Sequence, residues 1–182
     1  MILLSALFAL VVTVDRPSPE AVADFCYHLE KMGARAAVEL RVQEHSHRVA
    51  SENEEAFRLK IDGQEAWISG RTAAAVSHGL YELLEHMGCD WVMPGELGEV
   101  IPKCADPHPA ACDIEQVPSF AIRCPWYSGG LKKVSKQDHA VYEQWKVRKK
   151  LQRQREGHHP LYMNGGHVWG RIVRKNKAEF DA

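Results

Sequence analysis

Phe57-Arg-Leu-Lys-Ile61 alternates apolar and polar residues, Asp62-Gly63 follows, and Ala66-Trp-Ile-Ser69 runs back in the same style. A period of two sends successive side chains to opposite faces of a strand, and Asp-Gly supplies the backbone a tight hairpin needs. The hairpin passes directly into a helix. Thr72 stands where an N-cap belongs, and Ala75, Val76, Leu80, Leu83, Leu84 and Met87 share one helical face before Gly88 ends it. A hairpin feeding an amphipathic helix points to helices laid on a sheet.

The residues before the hairpin repeat the theme. Pro17-Ser-Pro-Glu20 is a turn and a helix start, with Ser18 as N-cap and Pro19 at the first helical position. Ala21, Ala23, Phe25, Cys26, Leu29 and Met32 recur at helical spacing, and Gly33 closes the helix. Ala36 to Val42 reads as a strand, and Gln43 to Glu55 as a polar loop. The apolar stretch Met1 to Val14 has two readings. One is the apolar part of a secretory signal, which would place the protein outside the cell or in the periplasm, although no basic residue precedes it. The other is a buried strand over Phe8 to Val14, favoured by the β-branched run Val11-Val-Thr-Val14. It is shorter than the roughly 20 apolar residues that span a bilayer.

Trp91-Val-Met93 is a short edge strand before the turn Pro94-Gly95. Pro102 to Pro118 holds four prolines and shows no period, as a linker or wrapping segment does. A new strand, Ser119-Phe-Ala-Ile-Arg-Cys124, and a helix from Gln137 to Arg155 follow. The expected class is thus α+β, a mixed sheet with two flanking helices over residues 1–101. A linker over 102–118 and the opening of a second domain over 119–182 come after it.

Lys and Arg number 23 against 24 Asp and Glu, so the formal net charge is −1. Near-neutrality gives no electrostatic reason for nucleic acid or an anionic membrane as partner. The charge is uneven, however: Lys132 to Arg155 is basic and Glu82 to Glu115 leans acidic, which reads as a solvated helix face at the basic end. The five cysteines, Cys26, Cys89, Cys104, Cys112 and Cys124, form no CxxC pair and read as free thiols, with a Cys104–Cys112 disulfide as the alternative in an oxidising compartment. No cofactor or metal motif is present. Gly70-Arg-Thr72 lacks the rest of a phosphate loop, and His158, His159 and His167 lack ligand spacing.

The passage Gly79-Leu-Tyr-Glu-Leu-Leu-Glu-His-Met-Gly-Cys-Asp-Trp-Val-Met-Pro-Gly-Glu-Leu-Gly-Glu-Val-Ile-Pro102 carries a resemblance. It is similar to the helix-plus-turn signature of the N-terminal domain of α-glucuronidases, glycoside hydrolase family 67. It is closer still to bacterial proteins in which that domain precedes a barrel of uncharacterised function. Pro118-Ser-Phe-Ala-Ile-Arg123 resembles the start of the family's first barrel strand, and Gly165-Gly-His-Val-Trp169 a later segment. The resemblance implies an accessory domain followed by the first βα unit of a (β/α)₈ barrel. Such a barrel needs about 250 residues, and about 65 follow Pro118 here. It also implies an oligosaccharide or polysaccharide substrate, handled by the barrel.

Glycoside hydrolysis uses two carboxyl groups about 5 to 10 Å apart. Glu96 and Glu99 are the nearest candidates in sequence, but they follow a turn and no strand end aims them, so a structural role is expected, Glu96 in a turn and Glu99 on a polar strand face. No catalytic residue is named. Arg123 is a candidate substrate contact, since a guanidinium fork can hold both oxygens of a uronate; a salt bridge across the domain junction is the other reading. His167 is a candidate sugar contact after two glycines. Trp126, Tyr127 and Trp169 are candidate stacking platforms or core residues. Asp90 and Trp91 are expected to help seat the first domain on the second.

Overall fold

The structure is a computed structural model and describes residues 9–44, 46–120, 123 and 135–151. Strand β1 (Leu10–Val14) leads into helix α1 (Pro19–Met32) and returns to strand β2 (Val38–Val42) through a short 3₁₀ turn over Arg35–Ala37. The ends of α1 follow from its sequence. Ser18 Oγ accepts the Ala21 N–H at 3.1 Å. Gly33 takes φ of 90°, which lets its N–H reach Glu30 O and that of Ala34 reach Leu29 O.

The hairpin forms as β3 (Phe57–Asp62) and β4 (Glu65–Gly70), joined by Gly63-Gln64 with Gly63 at φ 59°. Helix α2 (Ala73–His86) starts at Thr72, whose Oγ1 accepts from the Ala75 N–H, and ends in a second Schellman arrangement around Gly88. A two-stranded ribbon of β5 (Asp90–Trp91) and β6 (Glu99–Val100) follows.

Five strands make one mixed sheet in the order β2-β1-β4-β3 and then β7 (Cys112–Gln116). β1 runs parallel to β2 and β4, and β3 is antiparallel to β4 and β7. The parallel pair needs the α1 crossover, whereas the antiparallel pairs do not. Leu10, Val12, Val14, Leu59, Ile61, Ala66 and Ile68 point to one face and meet Phe25, Leu29, Val76, Leu80, Leu83 and Leu84 of the helices. The expected α+β class and its two helices on a mixed sheet are therefore seen.

Two expectations change. The proline-rich segment is not irregular throughout, because β7 lies inside it and lengthens the sheet at β3. Its alternation is only five residues long and carries Asp113 and Glu115 outward, as edge strands do, so prolines on either side masked it. The strand expected from Ser119 is not formed at Ser119, Phe120 or Arg123; 121–122 and 124 lie outside the described residues. Helix α3 (Lys136–Arg148) begins where expected, with Ser135 as N-cap, but ends at Arg148 rather than running on to Arg155. Its first turns are exposed, at Lys136, Gln137, Asp138, Ala140 and Val141, but its last turns are not. Lys146 is fully buried, and Trp145 packs against the core. Among the described residues no helix is long and apolar enough to cross a membrane.

Candidate functional site

The last turn of α3 carries the contacts that seat it on α1, α2 and the β5–β6 ribbon. Arg148 donates to both oxygens of Asp24 at 2.9 and 2.7 Å and to Glu99 Oε1 at 2.6 Å. All three side chains are about nine-tenths buried. Burial pushes the Asp24 carboxyl up, but the Arg148 hydrogen bonds and charge outweigh it and leave the group below its ordinary range. Burial pulls the Arg148 guanidinium down, but hydrogen bonds and charge from Asp24 and Glu99 hold it above its usual value.

Trp91 sits beneath this cluster. Its indole N–H donates to His28 Nε2 at 2.9 Å, and its carbonyl accepts from Trp145 Nε1 at 2.9 Å. Because Asp24 O can only accept, His28 Nδ1 carries the proton toward it at 2.7 Å, which leaves Nε2 free to accept from Trp91. Burial lowers the His28 pKa, so the ring is neutral here. Tyr27 OH donates to Glu99 Oε2 at 3.1 Å. Lys149 reaches Asp90 at 2.9 Å, and Lys150 reaches Glu82 and Glu85.

The acidic stretch and the basic stretch of the sequence thus pair with each other. Asp90 and Trp91 both contact α3, and Glu99 is held by Arg148 and Tyr27. Glu96 lies in a 3₁₀ turn over Glu96–Gly98.

A cleft of about 230 Å³ opens where Glu55, β3, α2 and the end of α3 meet. Arg123 lies in it. Its Nη2 donates to Glu55 Oε2 at 2.8 Å, its Nη1 to Phe120 O at 2.9 Å, and its Nε to Lys150 O at 3.3 Å. Arg123 therefore makes a salt bridge with Glu55, in the loop before β3. His78 of α2 is buried in the cleft wall. Burial drives its pKa down to about 4; Glu55 opposes the shift, and Arg123 and Lys150 add to it. Lys150 borders the same cleft at φ 57°. It closes α3 with the Schellman bonds Lys150 N to Val147 O and Leu151 N to Lys146 O. Glycine fills that place after α1 and α2. A lysine accepts the cost of a left-handed backbone where its surroundings over-determine it, here through Glu82 and Glu85.

Sequence reasoning singled out Arg123 but not His78 or Glu55, which line the same cleft. His78 lies among the apolar positions of α2 and gives no signal of its own; Glu55 ends a polar loop. Only the packing of α2 under β3 brings them to Arg123. Trp126, Tyr127, His167 and Trp169 lie outside the described residues. Among the described residues no group of three or more His, Cys, Asp or Glu could hold a metal ion.

No known protein family matches the chain. No characterised protein matches it either.

Proposed function

We propose that this chain is the non-catalytic N-terminal accessory part of a glycoside hydrolase acting on plant-type polysaccharide, in the manner of α-glucuronidases. Its last described segments would then open a (β/α)₈ barrel. The signature from Gly79 to Pro102 motivates the reading. The observation that carries it is the seat for α3: Asp24, Glu82, Glu85, Asp90 and Glu99, all from the first domain, meet Arg148, Lys149 and Lys150. A domain whose role is to hold a following one needs such a surface. Glu99, one of the two candidate carboxylates, is committed to that seat and is unavailable for acid or base work.

The test reads the coding frame of the source DNA past Ala182 and assays the whole product on aldobiouronic acids. Continued strand–helix repeats with hydrolysis, and no turnover by residues 1–182 alone, support the reading. A stop codon directly after Ala182, or turnover by the 182-residue chain, overturns it.

A further inference from the structure

We propose that His28 is a proton-operated latch for α3. Its neutral ring holds Trp91 under the helix; a second proton on that ring frees Trp91 and lets the end of α3 open. The latch stands whether or not a barrel follows.

The case rests on donors and acceptors. His28 is fully buried, and both of its ring nitrogens are used. Nδ1 donates to Asp24 O at 2.7 Å, which leaves Nε2 to accept the Trp91 indole N–H at 2.9 Å. An indole nitrogen only donates, so an imidazolium here would turn two N–H groups toward each other. Tyr27 and Trp91 stand edge-on to the ring, with centroids 5.1 and 5.2 Å away, and leave it little room to turn aside. The ring can hold a second proton or its bond to Trp91, but not both.

Trp91 passes that choice to α3. Its carbonyl accepts from Trp145 Nε1 at 2.9 Å, and the Arg148 guanidinium lies 5.9 Å from the centre of its ring. Trp145 and Val147 are the apolar side chains that α3 packs against the core. Its other ties are polar: Arg148 to Asp24 and Glu99, Lys149 to Asp90, and Lys150 to Glu82 and Glu85. A helix held this way depends on the floor that Trp91 gives it.

The groups facing the ring fix the direction. Asp24 on its own helix and Glu99 on β6 favour the second proton; Arg148 on α3 opposes it, and burial opposes it most. Tyr27 on α1 and Trp91 on β5 bring no charge at neutral pH. Seating α3 places the Arg148 cation near His28 and closes the site to water, so it lowers the ring's affinity for a proton. By linkage a proton on the ring weakens the seat by the same factor. With the folded pKa below the ordinary 6.5, the seat is whole above that value and weakens as pH falls from there. One proton is exchanged, so opening grows by at most about tenfold per pH unit. Asp24 and His78 titrate near or below pH 4, beneath this window.

The experiment measures exchange protection of the α3 amides in the 182-residue protein from about pH 7.5 to about pH 5, corrected for intrinsic rates. Long-range ¹H–¹⁵N NMR reads the protons on the His28 ring. The expected result is a proton on Nδ1 alone at the upper end, and a fall in protection of about tenfold toward the lower. His28→Gln keeps a donor for Asp24 O and an acceptor for Trp91 but takes up no proton, so its protection stays flat. Trp91→Phe removes the opposing N–H, keeps the backbone carbonyl for Trp145, and flattens the response too; it decides if the glutamine variant does not fold. His86, beside Glu82, and His139, beside Glu143, are the other imidazoles paired with carboxylates near α3. His86→Gln and His139→Gln keep the acid step. A proton on Nε2 at the upper pH, a change in wild-type protection below about twofold, or an undiminished acid step in a folded His28→Gln or Trp91→Phe chain would overturn the proposal. So would loss of the step in either control.

Discussion

Replacing Arg148 with methionine keeps the length of the side chain and removes the one cation that touches both Asp24 and Glu99. The two carboxylates are about nine-tenths buried and close to each other's partner, so the variant leaves them uncompensated in a region of low polarity. Breaking a buried pair from one side costs about 3–5 kcal/mol, far more than the pair is worth against an apolar replacement. In a domain of this length each kcal/mol moves Tm by about 2–4 °C, so a fall of about 10 °C is expected. Urea melts followed by tryptophan emission measure the loss, and amide exchange over 136–151 shows whether α3 leaves first.

The acid arm has a definite sign. Asp24 is depressed below its ordinary 3.8, so its stabilisation is complete above that value and fades as pH falls through the folded pKa. The wild type therefore loses this contribution below about pH 4, and the gap to Arg148→Met narrows there. Adding Asp24→Asn to Arg148→Met removes one stranded charge and recovers part of the loss. A loss below about 1 kcal/mol at pH 7, the size of an exposed ion pair, would refute the idea that this network is a buried seat.

The packing sets three further outcomes. His78, with pKa about 4 folded against 6.5 unfolded, gives stability that is whole above 6.5 and falls by up to about 3 kcal/mol as acid passes through 4; His78→Gln flattens part of that slope in pH-dependent melts. Cys89 is buried, and burial raises its thiol to about 12, so iodoacetamide at about pH 8 leaves it unlabelled until urea unfolds the chain, as peptide mapping would show. Gly79→Ala drives a methyl into the Ile68 side chain and to 3.3 Å from Phe57, and overpacking of about 1–3 kcal/mol outweighs the ~1 kcal/mol helix gain, so the urea midpoint falls. An unchanged or higher midpoint would mean that Ile68 can move aside.

Local pattern determined most of the elements from β1 to α2. Ser18, Gly33, Thr72 and Gly88 bound their helices because caps act within a turn of backbone, and Gly63 marked the hairpin because a two-residue turn admits few residue types, although the turn is Gly63-Gln64 and Asp62 ends β3. The apolar alternation of β3 likewise set its inward face. These are short-range effects, and short-range effects are written in neighbouring letters.

Other features needed the fold. β7 has five residues flanked by prolines, and its place in the sheet depends on β3, about fifty positions earlier. The basic helix α3 reads as solvent-facing on its own, because a charge is soluble unless a partner is brought to it; packing supplied Asp24, Glu82, Glu85, Asp90 and Glu99. His78 shows the same rule from the other side. Its position in the helix gives no signal, and only the joining of α2, β3 and the end of α3 places it in the wall of a cleft. Pairings across distance carry no period, so tertiary structure alone decides them.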